Sequence, residues 1–217
     1  MKNKYSPVYY DSLEEKINIL THAIGMFLSI IALVLLLMKS NSVGNIWHVV
    51  SFAIFGSSLV ILYTASTFYH ASKGLELRRR LNVFDHASIY ILIAGTYTPF
   101  TLVTLQGKIG WWIFLINWSL ALIGVIFKLF FTGKYDKVST IMYILMGWII
   151  IFAIKPLTNN LGVEGSLWLL YGGIFYTIGA VFYSISKIKY NHAIFHVFVL
   201  LGSFAHFISI YKYVILT

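Results

Sequence analysis

The chain has 217 residues and a formal net charge of +9, with 59% hydrophobic residues, 11% charged residues and a mean hydropathy of +0.82. Soluble globular domains carry about 25% charged residues, so this composition excludes a soluble enzyme, a disordered protein and a nucleic-acid-binding domain. The sequence contains no cysteine, which also excludes disulfides and cysteine-ligated metal sites.

Seven apolar segments follow one another along the chain, each about 20 residues long, the length of helix that crosses a hydrocarbon core about 30 Å thick. In chain order they cover residues 19–38, 47–70, 83–105, 111–131, 139–157, 166–186 and 193–215. The connections between them are short, and no soluble domain fits anywhere. We therefore predict an all-α, polytopic membrane protein in which residues 1–217 form a single seven-helix transmembrane domain.

The basic residues predict the orientation of this bundle, because membrane loops rich in Lys and Arg stay in the cytoplasm. With a cytoplasmic N-terminus, 12 of the 16 basic residues lie on the inner side: Lys2, Lys4, Lys16, Lys73, Arg78, Arg79, Arg80, Lys128, Lys134, Lys137, Lys187 and Lys189. The outer side keeps the remaining 4: Lys39, Lys108, Lys155 and Lys212. We predict that the N-terminus is inside and the C-terminus outside, and that the positive charge sets topology and does not bind nucleic acid.

Ionisable residues inside membrane spans are costly, about 2.5–3.5 kcal/mol each on insertion scales, so each one points to a function. In the predicted topology, five of them from four helices fall at one depth in the cytoplasmic leaflet: His22, His70, Asp85, His192 and His196. His206 lies about 15 Å deeper and is expected to be a buried hydrogen-bonding residue. His86 is rotated about 100° from Asp85 around the helix and is expected to be structural.

The spacing of these residues predicts a metal site. His192 and His196 are separated by four positions, so their imidazoles share a helix face and can bind one ion; Ser66 and His70 have the same spacing. Three imidazoles leave a fourth tetrahedral position for water, and Asp85 could hydrogen-bond that water as a base or an orienting group. Imidazole suits Zn²⁺, although iron, nickel and copper use the same ligand.

Each of these residues also has a simpler interpretation. Paired histidines at the start of a membrane helix can be interfacial residues that face lipid headgroups, and His70 could cap its helix at the same interface. Asp85 could favour the N-terminus of its helix through the helix dipole.

Five motifs occur in order along the chain. They are Glu15-x-x-Asn18-x-x-Thr21-His22-x-x-Gly25, Ser66-x-x-x-His70, Asp85-His86-x-x-Ile89-Tyr90, Gly95-Thr96-Tyr97-Thr98-Pro99-Phe100 and His192-x-x-x-His196. Together they resemble the hemolysin III branch of the progestin and adiponectin receptor (PAQR) family, and the resemblance covers nearly the whole chain. It implies zinc bound by His70, His192 and His196, with Asp85 at a water on the metal and Ser66 close by.

The short loops, the placement of Arg and Lys and the size of the chain fit a bacterial inner membrane. The resemblance also implies three candidate functions. Some members of the wider family hydrolyse ceramide, which makes a zinc-dependent hydrolase of a lipid amide or ester the leading hypothesis. A lipid-responsive sensor or membrane homeostasis factor with structural zinc is the alternative. A cytolytic pore is the third, but a pore should carry a polar stripe through whole spans, whereas polarity here collects at one end. A membrane lipid is the expected substrate or ligand.

Overall fold

The computed structural model describes residues 7–43 and 45–214. Lys2 and Lys4, which contribute to the predicted orientation, and residue 215, the predicted end of the seventh span, lie outside this part of the chain. The described residues form helices joined by short connections and contain no strand. The predicted all-α class is therefore confirmed.

The helices in chain order are α1 (Ser12–Val43), α2 (Ile46–Ala71), α3 (Leu75–Pro99), α4 (Gly107–Phe131), α5 (Asp136–Trp148), α6 (Ile154–Ser184) and α7 (Asn191–Tyr213). A π-helical turn, Phe100–Leu105, continues α3, and a 3₁₀ turn, Ile149–Ala153, joins α5 to α6. The π-helical turn begins directly after Pro99, which lacks a backbone N–H and so disturbs the regular hydrogen-bond ladder.

Within residues 7–43 and 45–214, six helical runs are both long and apolar enough to cross a membrane. Five of them correspond one to one to predicted spans. The sixth, Asp136–Ser184, is 49 residues long and contains both the predicted fifth and sixth spans. Within it, Gly162 has a φ of 75° and a ψ of 170°, so the helical backbone is interrupted there.

The helices pack in an order that closes into a ring. Each helix from α1 to α7 contacts the next one along the chain, and α1 also packs against α7. The buried core is apolar and includes Phe52, Phe55 and Val199. Large apolar side chains such as Phe130 and Phe152 are exposed on the outside of the ring, as expected for a surface that faces lipid.

Four helix ends lie together at one end of the ring, as the contacts among His70, Glu15, Arg78 and His192 show. They are the N-termini of α1, α3 and α7 and the C-terminus of α2. α1 begins after Asp11, whose carboxylate accepts a hydrogen bond from the Leu13 N–H at 2.8 Å. α7 begins after Tyr190, whose φ of 59° turns the chain sharply into the helix. The predicted polar residues lie in the turns next to these ends.

Candidate metal centre

Three buried imidazoles meet where α2 ends and α7 begins. His70 lies in the last turn of α2, and His192 and His196 lie in the first two turns of α7. The Nε2 atom of His192 is 3.1 Å from Nε2 of His70 and 3.0 Å from Nε2 of His196. Their ligand atoms all lie within 4.8 Å of one another, so the three histidines could hold a metal ion.

The opposite nitrogen of each ring faces a different partner. Nδ1 of His70 donates to a carboxylate oxygen of Glu15 at 2.8 Å, and Nδ1 of His192 is 3.0 Å from the hydroxyl of Tyr10. Nδ1 of His196 is 3.4 Å from the hydroxyl of Thr21. The Thr21 hydroxyl donates to the carbonyl of Ile17 at 2.8 Å, so towards His196 it can only accept.

The groups that face the Nδ1 atoms leave the Nε2 atoms free to bind a cation. A carboxylate and a committed hydroxyl both require a proton on Nδ1, and in a neutral imidazole this leaves a lone pair on Nε2. This holds for His70 and His196, whose Nδ1 atoms face Glu15 and Thr21. Nε2 of His192 lies 3.0–3.1 Å from the Nε2 atoms of both, and with its own Nδ1 proton donated to Tyr10 it would present a third lone pair to a cation. Tetrahedral zinc with bonds of about 2.0–2.1 Å would separate its nitrogens by about 3.3–3.4 Å, within a few tenths of an ångström of the spacing here.

Arg78 connects this cluster to the segment that precedes α1. Its guanidinium is buried and donates to the backbone carbonyls of Tyr69, His70 and Ser72 at 3.1–3.3 Å. It also forms an ion pair with Glu15, the partner of His70, and donates to the carbonyl of Val8 at 2.8 Å. Arg78 therefore closes the end of α2 and positions the carboxylate that orients His70.

Tyr10 covers the same side of the cluster. Its ring stacks on the His192 ring with centroids 4.5 Å apart, and burial raises the pKa of its hydroxyl, which therefore stays a neutral phenol. Sequence reasoning did not single out Tyr10 or Arg78 as site residues. Nothing in the sequence distinguishes Arg78 from its neighbours Arg79 and Arg80. In the structure, Arg79 and Arg80 pair with Glu76, whereas Arg78 pairs with Glu15.

A long cavity begins beside the histidine cluster and extends between α3, α5, α6 and α7. Its wall includes Ser66, Asp85, His192 and His196, and the remainder of the wall is mostly apolar. Representative apolar lining residues are Leu62, Leu92, Phe100, Ile150, Leu169 and Val199. The structure thus brings Ser66 and Asp85 to the same cavity as two of the predicted ligands.

The two predicted polar residues differ from the histidines in their contacts. Asp85 is not one of the grouped ligand residues, and its carboxylate lies 3.8 Å from the imidazole of the adjacent His86. The hydroxyl of Ser66 is buried and has no hydrogen-bond partner in the described protein. Both residues are placed to contact a molecule in the cavity.

The other predicted histidines make separate contacts. His86 donates from Nδ1 to the carbonyl of Asn82 at 2.9 Å, but its ring also lines the cavity. His206 donates from Nε2 to the carbonyl of Leu169 at 3.1 Å, which confirms the prediction of a buried hydrogen-bonding residue.

Comparison with known proteins agrees with the motif pattern. The model of the "Haemolysin-III related" family matches residues 10–207. This chain belongs to the haemolysin III-related family. The match extends from Tyr10 to a point beyond His196 and so includes every residue of the cluster.

Relatives within the haemolysin III-related family come from bacteria and animals. Hemolysin-3 of Bacillus cereus is 47% identical over 204 residues, which covers 94% of this chain and 93% of that protein. The Hemolysin-3 homolog of Bacillus subtilis (strain 168) is 46% identical over 200 residues, covering 92% and 94% of the two chains. The human monocyte to macrophage differentiation factor is 30% identical over 220 residues, covering 97% and 87%.

The resemblance to the hemolysin III branch of the PAQR family is therefore confirmed. Membership of this family, together with the six apolar helical runs, identifies a multi-pass membrane protein and is consistent with the cell membrane.

Proposed function

We propose that this protein is a zinc-dependent membrane hydrolase that cleaves a lipid amide or ester. The observation that carries the proposal is the position of the buried histidine cluster at the wall of a long apolar cavity that also contains Asp85 and Ser66. A polar reactive group next to an apolar tunnel is the arrangement that a molecule with one reactive head and a long hydrocarbon chain requires.

His70, His192 and His196 would hold the metal, and zinc is the ion that best suits three neutral imidazoles without thiolate. Bound zinc supplies Lewis-acid polarisation of a carbonyl and lowers the pKa of water toward neutrality. Glu15, Tyr10 and Thr21 would keep the three Nε2 lone pairs directed at one point.

Asp85 and Ser66 would act on the reacting molecules in the cavity. A carboxylate at this position can take the proton of an attacking water molecule and return it to the leaving group, as a general base and then a general acid. The Ser66 hydroxyl can donate a hydrogen bond but is a poor base at neutral pH. The substrate would enter laterally from the bilayer, with its hydrocarbon chain along the apolar wall.

We further propose seven spans with a cytoplasmic N-terminus. At 1.5 Å per residue, an unbroken helix of 49 residues would be about 73 Å long, more than twice the hydrocarbon thickness of about 30 Å. The non-helical backbone of Gly162 favours two antiparallel spans within this run. With seven spans, the 12-to-4 basic bias supports a C-terminus on the outside.

A lipid-responsive sensor with structural zinc is the second candidate, favoured by one observation. A metal bound at the cluster would tie α2 directly to α7, and α1 would be held to both through the contacts of Glu15 with His70 and of Thr21 with His196. Such a clamp could respond to lipid in the cavity without any reaction.

Metal analysis and turnover on the same purified protein test the proposal. We expect about one zinc ion per chain and release of fatty acid from at least one lipid amide or ester in a panel reconstituted in nanodiscs. Stoichiometric zinc without turnover would refute the hydrolase and favour the sensor. Absence of any bound metal after loading would refute both.

A further inference from the structure

His22 is a buried histidine beside the metal cluster, and the functions proposed above leave it without a role. Its side chain is on α1, is only 3% exposed and lines the same cavity as Ser66 and Asp85. The ring lies parallel to that of His196, with centroids 3.5 Å apart and an interplanar angle of 7°. The edge of Tyr63 packs against it at a centroid distance of 5.1 Å.

Both nitrogens of His22 lack a hydrogen-bond partner in the described protein. The ring approaches the backbone of His196, but no hydrogen bond of normal geometry forms between them. A buried polar group without a partner costs about 1–3 kcal/mol, so such a group in a native protein calls for an explanation.

Neighbouring polar side chains on the helices show the usual solution. The hydroxyls of Thr67 and Thr96 donate to carbonyls one turn earlier in their own helices at 2.7 and 2.8 Å. Ser66 makes no such bond in the described protein, although it lies within α2, one turn before His70. His22 and Ser66 therefore each have polar atoms that are free to form a hydrogen bond with a molecule in the cavity, at the end next to the histidine cluster.

His22 does not share the geometry of the three grouped histidines. The group whose ligand atoms all lie within 4.8 Å of one another contains His70, His192 and His196 and does not include His22. Its flat stacking on His196 also leaves its nitrogens beside the cluster and not opposite it. The position suits a group that contacts a molecule bound next to the metal.

We infer that His22 is a substrate-binding residue whose imidazole N–H donates a hydrogen bond to the carbonyl oxygen of a lipid amide or ester in the cavity. A neutral imidazole has one donor nitrogen, and a carbonyl oxygen is the acceptor that a lipid amide and a lipid ester share. Ser66 provides a second donor to the same polar end. The inference deepens the proposed hydrolase and rests on its lipid substrate.

Binding of a carbonyl probe tests the role of His22 without any turnover. The probe is a long-chain methyl ketone, which cannot be hydrolysed, and its partner is the 2-methyl-1-alkene of the same shape, in which CH₂ replaces the oxygen. Both compete with a fluorescent fatty acid for full-length protein in nanodiscs, with zinc content measured on each sample. The wild-type protein should bind the ketone more tightly than the alkene.

His22→Phe should keep its zinc and reduce this preference roughly three- to tenfold, the equivalent of one neutral hydrogen bond. His22→Gln, which can still donate, should retain most of the preference. His48→Phe is the matched control, because His48 is equally buried and also lacks hydrogen-bond partners among the described residues, but it does not line the cavity. It should behave as the wild type.

An unchanged preference in His22→Phe, or loss of zinc from that variant, would overturn the inference. Should His22→Phe fail to fold, the infrared carbonyl stretch of a ¹³C-labelled ketone bound to the wild-type protein decides. A frequency no lower than in hydrocarbon would also overturn the inference. The wild-type protein could turn over no lipid while His22→Phe still loses the preference for the ketone. That result would support His22 as a binding residue and refute the hydrolase.

Discussion

Asp85 is the residue whose chemistry separates a hydrolase from a structural metal site. The change Asp85→Asn keeps the size and hydrogen-bonding capacity of the side chain but removes its ability to take up a proton. General acid–base groups typically contribute 10²–10⁴-fold, so we expect turnover to fall by about that factor while zinc stays bound. Fatty-acid release and metal content measured on the same sample check this.

Ser66→Ala is the comparison for Asp85→Asn, and it should reduce turnover less because a serine hydroxyl is a poor base at neutral pH. Wild-type turnover by zinc-loaded Asp85→Asn protein would contradict a proton-transfer role for the carboxylate and favour the structural interpretation.

The three clustered histidines should couple metal content to stability. Alanine at His70, His192 or His196 removes one of three ligands, and the free energy of metal binding is also folding free energy. We expect zinc content to fall well below one ion per chain and the melting temperature to fall by about 2–4 °C per kcal/mol lost. Elemental analysis and thermal melting of the same preparation check this.

Alanine at His48 or His206 provides the control, since neither residue belongs to the group. Both variants should keep their zinc. Full zinc occupancy in the double variant His192→Ala/His196→Ala would refute the assignment of the ligands.

The sequence predicts the histidine cluster more completely than the residues that support it. Helix periodicity puts His192 beside His196, and the alternating direction of the spans brings His70 to the same depth. The contact between Tyr10 and His192 joins residues 182 positions apart, and no local periodicity predicts such a pairing. Glu15 and Thr21 were visible only as members of a motif, because their roles depend on how α1 packs against α2 and α7.

Arg78 is the main link between elements at this end of the bundle. Arg78→Lys keeps the positive charge but loses the planar group that reaches three carbonyls at the end of α2. Each buried carbonyl left unpaired costs about 1–3 kcal/mol, so melting temperature and zinc retention should both decrease. Thermal melting and zinc release to a chelator measure the two effects.

Arg79→Lys is the matched control for that change. Arg79 is partly exposed, and in the described part of the chain its ion-pair partner is Glu76 one turn earlier, so its replacement should alter stability by no more than about 0.5 kcal/mol. Equal behaviour of the two variants would contradict a special role for Arg78.

Gly162 interrupts the long run of helices from α5 to α6. Its φ of 75° and ψ of 170° lie in a region that is essentially restricted to glycine, so Gly162→Ala should cost about 1–3 kcal/mol. Gly147→Ala is the control, since a methyl group there meets no atom within 4 Å and alanine favours helix. Thermal melting should show a loss for the first variant and none for the second.

Hydropathy predicts where the long run of helices from α5 to α6 divides. The polar segment 158–165 separates the fifth and sixth predicted spans, and Gly162, whose backbone is not helical, lies within it. The two helices follow each other directly at this residue, with no loop between them. Gly172 allows α6 to pack closely against α7, because a Cβ there would lie 2.0 Å from the His206 ring.

At the scale of the whole molecule, the orientation in the membrane is the property most open to test. Seven spans with an inner N-terminus place Lys73 in the cytoplasm and both Gly162 and Thr217 outside. Reporter fusions at these three positions should give that pattern. A cytoplasmic signal at Gly162 together with one at Thr217 would indicate six spans, and an external signal at Lys73 would reverse the orientation.

The distance along the chain between the clustered histidines also constrains the order of biosynthesis. His70 is synthesised as part of the second helix, but its partner His192 follows 122 residues later, in the last helix described. A metal ion at this cluster would therefore have one ligand, His70, until translation is nearly finished and α7, which carries the other two, has docked between α1 and α6. Zinc capture would then be a late event in assembly, and a chain truncated before α7 would keep one ligand of three, too few to hold the metal.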